Sequence, residues 1–136
     1  MRIMVDTNVL FSAILFPSAN FNSIFNEIAM NHKLVICSYV IDELHETTAE
    51  KFPDKIAVVE KMLSKMRYEL VYTPKIIDDS LFEIRDLKDY PILYTAIVED
   101  VDILISGDGD FFDEKLAEIE KPLILRPREF REMFVK

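Results

Sequence analysis

Short apolar runs bounded by polar residues recur along the chain at residues 3–5, 34–37, 103–106 and 123–125, with a weaker one at 70–72. Continuous apolar runs of this length, without polar alternation, suit strands buried on both faces, as in a parallel sheet. Segments of helical period lie between them. Over residues 20–31, Phe21, Ile24, Phe25 and Ile28 fall on one face. From Ser38 to about Lys51, Val40, Ile41 and Leu44 do the same behind a Ser cap. Residues 54–67 repeat the pattern with Ile56, Val59, Met62, Leu63 and Met66. Residues 90–100 carry Leu93, Ile97 and Val98, with Pro91 in the first turn, where its missing N–H costs nothing. Short strands alternating with such helices predict an α/β fold: a three-layer α/β/α sandwich around a central, mainly parallel sheet.

Composition narrows this picture. The 136 residues, half of them apolar or aromatic, suffice for one core, and no repeat or Gly/Ser-rich linker divides them, so a single domain over residues 1–136 is expected. No apolar run approaches the ~20 residues that span a bilayer, and Asp6 interrupts the apolar start where a leader would continue. A cytoplasmic protein without membrane contact is expected. Cys37 is the only cysteine, so no internal disulfide can form, and its neighbours Leu34, Val35 and Ile36 imply a buried thiol. The net charge of −9 argues against a protein that coats nucleic acid, because such binding neutralises phosphates with Lys and Arg. That objection weakens if several acids ligate a divalent ion, which reverses the local field.

Candidate acids sit where the predicted strands end. Asp6 follows the first strand in Val5-Asp6-Thr7-Asn8, Asp89 stands just before the Pro91 helix, and Asp108 and Asp110 follow a strongly apolar strand in Ser106-Gly107-Asp108-Gly109-Asp110. Glu43 lies one turn into the helix that starts at Ser38. Taken singly, each has an ordinary explanation: Asp caps helix N-termini, and Glu complements the helix dipole. In Asp6-Thr7-Asn8 the work can be divided, with Asn8 or Thr7 capping and Asp6 free. Both glycines of the chain, Gly107 and Gly109, fall in the last segment, suggesting a backbone that other residues cannot adopt. Jointly, these acids fall along the carboxyl edge of the sheet, where ligands of parallel sheets collect.

With these residues in view, the chain resembles the PIN-domain ribonucleases, in particular the small VapC-like toxins of prokaryotic toxin–antitoxin pairs. The resemblance rests on Asp6-Thr7-Asn8, on Glu43, on Lys88-Asp89-Tyr90-Pro91-Ile92-Leu93 and on Ser106-Gly107-Asp108-Gly109-Asp110-Phe111, and runs from Met1 to about Arg126. Tyr90-Pro91 departs from the usual opening of that helix. The resemblance implies a shared acidic pocket, Mg²⁺ or Mn²⁺ as cofactor, endoribonuclease activity on RNA phosphodiester bonds, and an antitoxin protein as partner.

On that reading Asp6, Glu43, Asp89 and Asp108 are catalytic. Asp6, Asp89, Asp108 and Asp110 are the metal ligands, it being open whether Asp108 or Asp110 takes the fourth acidic place. Asn8 and Ser106 support the carboxylates. Oxygen ligands suffice for Mg²⁺, and His32 and His45 have no spacing that suits zinc. Positive charge for a substrate is sought among Lys51, Lys55, Lys61, Lys65, Arg126, Arg128 and Arg131. The aromatic-rich stretch of Phe11, Ile14, Leu15, Phe16 and Phe21 reads as core. Any exposed part of it would serve the homodimer expected here, or a partner helix. The alternative to an enzyme is a module that keeps the fold and acts through protein or RNA contacts, which the negative charge favours.

Overall fold

In the computed structural model, which describes residues 1–136, Ile3, Met4 and Val5 are all fully buried. Successive strand residues face opposite ways, so this strand, β1 (Arg2–Val5), is covered on both faces. The same holds for β2 (Lys33–Cys37) over Leu34 to Cys37 and for β4 (Ile103–Ile105). Together with β3 (Glu69–Val71) and β5 (Leu123–Leu125) they form one sheet in the order β3-β2-β1-β4-β5, with every pairing parallel. Six helices accompany them: α1 (Thr7–Leu15), α2 (Ala19–Asn31), α3 (Ser38–Lys51), α4 (Ile56–Lys65), α5 (Tyr90–Val98) and α6 (Pro127–Phe134). Helix α2 packs on α6, while α1 packs on α3 and α4, giving the three-layer α/β/α sandwich that the sequence predicts. Thirty-one buried apolar residues form a single contiguous core. No helix is long and apolar enough to cross a membrane.

The strand order places the site. From β1 the chain steps outward to β2 and β3, then returns across the sheet to β4 on the other side of β1. The connections leaving the carboxyl ends of β1 and β4 therefore diverge, opening the crevice in which ligands of such sheets bind. Val5 and Ile105 are paired in the last register of these strands, and the N–H of Asp6 donates to the Ile105 carbonyl at 3.1 Å. Asp6 and Ser106, the next residues of each strand, are thereby fixed at the mouth of the crevice.

Several local expectations are corrected. The helix sought at residues 54–67 is a 3₁₀ turn at Pro53–Lys55 followed by α4, because Pro53 sets the turn before the regular hydrogen bonding begins. Helix α5 stops at Val98 and turns through Asp100, whose φ of 54° closes the end in the left-handed region. Ser38 does not cap α3. Cys37 is at the cap position, and the Ser38 hydroxyl accepts instead from the Thr73 N–H at 2.9 Å. Neither glycine has a positive φ, and a Cβ at either would meet nothing within 4 Å, so the backbone there does not require glycine. The aromatic stretch is split. Ile14 is buried, Phe11, Leu15 and Phe21 are half-buried, and Phe16 is 56% exposed, its ring against those of Phe11 and Phe52.

Candidate functional site

Asp6 leaves β1 as a residue only 2% exposed, and its carboxylate does two jobs at once. Its Oδ1 accepts from the Val9 N–H at 2.9 Å, capping α1, and its Oδ2 accepts from the Ser106 hydroxyl. The division of labour expected of Asp6-Thr7-Asn8 is thus reversed: Asp6 is the cap. Thr7 instead donates its hydroxyl to Glu43 Oε1, holding that half-buried side chain from α3 over the crevice. Asn8 lines the crevice and is exposed. Ser106 is fully buried, and its Oγ also accepts from the Asp108 N–H at 3.0 Å, so one hydroxyl positions two of the acids.

Asp89 departs furthest from the ordinary explanation. It holds the cap position of α5, yet its side chain makes no cap hydrogen bond; only its carbonyl serves the helix, accepting from Leu93 N–H at 3.2 Å. The residue is 8% exposed, and its Oδ2 is buried with no hydrogen-bond partner. A buried carboxylate oxygen without a partner is costly, and such groups persist where something else satisfies them. Burial pushes the Asp89 carboxyl up to about 8, with Asp108, Asp86 and Asp6 adding to the rise. Burial likewise raises Asp6 to about 6, against the Ser106 hydroxyl and the Val9 N–H, which favour its ionised form. Acids this close resist joint ionisation unless a cation joins them.

The crevice has a volume of about 180 Å³ and is lined by Asp6, Glu43, Asp86, Asp89 and Asp108, with Lys51 and Lys88 at its edge. Beside it, one oxygen each from Asp86, Asp89, Asp108 and Asp110 lie within 4.8 Å of one another. Oxygens on opposite sides of one Mg²⁺ stand ~4.2 Å apart, so this set fits a single hard cation after closing by a few tenths of an ångström. The structure brings Asp89, Asp108 and Asp110 into that set and leaves Asp6 outside it, at the crevice floor. Asp110 also pairs with Arg85, Nε to Oδ1, at 3.0 Å. Sequence reasoning missed Asp86, Thr7 and Lys88. Asp86 stands three residues before Asp89 in Arg85-Asp86-Leu87-Lys88-Asp89, and that spacing was the available signal. Of the cations considered, Lys51 alone lines the crevice; Arg126 and Arg128 pair with Glu129 and Glu132 on their own helix.

An α/β protein whose acidic crevice lies at the switch point of a parallel sheet is the class that fold and site define. The family model for the PIN domain matches residues 2–110, and the chain belongs to that family. Among solved structures it is similar to VapBC2 from Rickettsia felis, described as bound to a DNA fragment from its promoter. The TM-score is 0.69 at 19% identity, over 93% of this chain and 98% of that one. It is also similar to VapC20 from Mycobacterium tuberculosis, a Sarcin-Ricin loop cleaving toxin, with a TM-score of 0.58 at 12% identity over 81% and 92% of the two chains. No curated protein matches the chain.

Proposed function

We propose that this chain is a divalent-metal-dependent endoribonuclease and the toxin of a toxin–antitoxin pair. The observation that carries the reading is Asp89, whose Oδ2 is buried and unpartnered and whose carboxylate belongs to a cluster of acids. Asp89 and Asp108 would hold Mg²⁺ or Mn²⁺ directly, with Asp86 and Asp110 beside them. Asp6 would complete the set from the floor, since each of its oxygens accepts one hydrogen bond and keeps a second lone pair. A divalent ion held there supplies positive charge for a phosphate and acidifies water.

The chain's own residues do the rest. Glu43, fixed by Thr7, orients the attacking water and takes its proton. The water oxygen bonds to phosphorus as one ribose–oxygen bond to phosphorus breaks, leaving a phosphomonoester and a hydroxyl. Ser106 keeps Asp6 and Asp108 in register throughout. The antitoxin partner is supported by the likeness to VapBC2, whose name pairs it with one.

Asp6→Asn is expected to abolish Mn²⁺-dependent RNA cleavage by the purified protein with its circular dichroism spectrum unchanged; full activity would refute the mechanism. The net charge of −9 favours a second reading, a PIN-fold binding module without catalysis. Absence of thermal stabilisation by millimolar Mg²⁺ or Mn²⁺ would select it.

A further inference from the structure

We propose that Lys51 and Lys88 bracket the acidic crevice and hold the backbone of a single-stranded RNA on either side of the phosphate to be cut. The inference rests on the nuclease reading above and adds to it the groups that bind the substrate.

A phosphate entering this crevice meets Asp6, Glu43, Asp86, Asp89 and Asp108 in a protein that carries −9 overall. One divalent ion offsets two of those charges at the centre and does nothing for the phosphates on either side. These need cations of their own, free of carboxylate partners and placed at the crevice. Arg2, Lys33, Arg85, Lys115, Lys121, Arg126 and Arg128 are all engaged with carboxylates. Lys51 and Lys88 have no carboxylate partner, are exposed, and both line the crevice.

Their placement follows from the fold. Glu43, Thr47 and Lys51 are spaced by four on α3 and all three line the crevice, so they form one helical face. Lys51 stands ~12 Å along that face from Glu43 and meets a neighbouring phosphate, not the one attacked. Lys88 comes from the segment before α5, next to Asp89, so the second cation belongs to the wall formed by Asp86, Lys88 and Asp89. A crevice of about 180 Å³ between these walls is of the size of one phosphodiester unit and far too small to take in a duplex. Two ammonium groups act here as point charges on phosphates and give affinity without base preference.

The test measures anisotropy of a labelled single-stranded oligoribonucleotide with Mn²⁺, in protein carrying Asp6→Asn so that the strand survives. Lys51→Ala and Lys88→Ala should each weaken binding ~5–10-fold for any sequence and flatten the plot of log affinity against log salt by ~0.7. The double variant should lose both increments. Lys51→Arg and Lys88→Arg should restore binding, and Lys55→Ala and Lys65→Ala should leave it unchanged. With Asp6 intact, the alanine variants should raise KM and hold kcat within ~3-fold. Unchanged affinity and salt slope in the double variant would overturn the inference, even if the protein cleaves RNA. Lysine-dependent binding by a protein that never cleaves would retain the lysine pair and remove the nuclease reading. A protein that binds no oligoribonucleotide would overturn both.

Discussion

Asp89→Asn replaces the unpartnered buried carboxylate by a neutral group of the same shape, and in the metal-free protein it is expected to stabilise. The Asp89 carboxyl is pushed from 3.8 up to about 8, so the native state retains a proton that the unfolded chain releases near its ordinary value. The sign follows: stability from this group is complete below about pH 4 and is lost as the pH rises through about 8. Asp6, raised to about 6, acts in the same direction over a narrower window. Moving a carboxyl from 3.8 to about 8 corresponds to ~6 kcal/mol at most. Water reaching the open crevice lowers the observable part to ~2–3 kcal/mol.

The assay is thermal melting in EDTA at about pH 5 and about pH 8, then with millimolar Mn²⁺. At the higher pH, Asp89→Asn should melt ~6–12 °C above the parent, at ~3–4 °C per kcal/mol for a domain of this size. At the lower pH the gap should shrink to a few degrees, because the parent is then protonated. The amide should also gain a partner by donating to Asp108, its neighbour in the acidic set. Mn²⁺ should stabilise the parent strongly and the variant weakly, reversing their order. A variant that melts at or below the parent in EDTA at about pH 8 would refute the reasoning, since Asp89 would then not be a strained, uncompensated charge.

Thr7→Val keeps the shape of a buried residue but removes the hydroxyl that holds Glu43; kcat should fall ~10-fold or more with KM and melting temperature nearly unchanged. Ser106→Ala deprives Asp6 of a donor and the Asp108 N–H of its acceptor, and should cost ~1–3 kcal/mol by urea denaturation while moving the Asp6 carboxyl further up. Phe130→Ala, at a fully buried α6 position, should cost ~3–5 kcal/mol yet leave Mn²⁺ affinity unchanged under native conditions, separating the core from the site.

The layers were legible because burial on both faces makes parallel strands read as unbroken apolar runs, so residues 3–5, 34–37 and 103–105 announced themselves. Helix α6 was not, although its apolar positions fall on one side. Pro127 and charged neighbours dominate its eight residues, and only Phe130 is buried. The stretch from Thr73 to Asp89 is irregular, carries no period, and hides Asp86. Legibility of the acids followed a different logic. Capping preference and ligation draw on the same residue types at the same junctions, so sequence alone leaves them equivalent. The hydrogen bonds separate them: Asp6 caps α1 and faces the crevice, Asp108 accepts from the Asp110 N–H at 2.9 Å, and Asp89 caps nothing with its side chain.

The two ends of the sheet show why charge must be read by location. At the amino ends of the strands, Arg2 bonds Glu69 and Glu99, Lys33 approaches Glu69, and Lys121 pairs with Asp100 and Asp102. There Glu69 is held below the ordinary carboxylate range by Arg2, and Asp102 by the Arg2 N–H, as expected of acids that serve structure. At the carboxyl ends, Asp6 and Asp89 are raised, and the cations nearest the crevice, Lys51 and Lys88, are bonded to no carboxylate. Folding alone would favour the same pairing at both edges, since an unpaired buried carboxylate destabilises the native state. The chain pairs its acids at the amino edge and leaves Asp6 and Asp89 without a cationic partner at the switch point, where Asp110 alone of the acidic set meets an arginine, Arg85. A net charge that looks like an argument against nucleic-acid chemistry is therefore divided between an edge whose acids are neutralised in place and an edge whose buried acids are not.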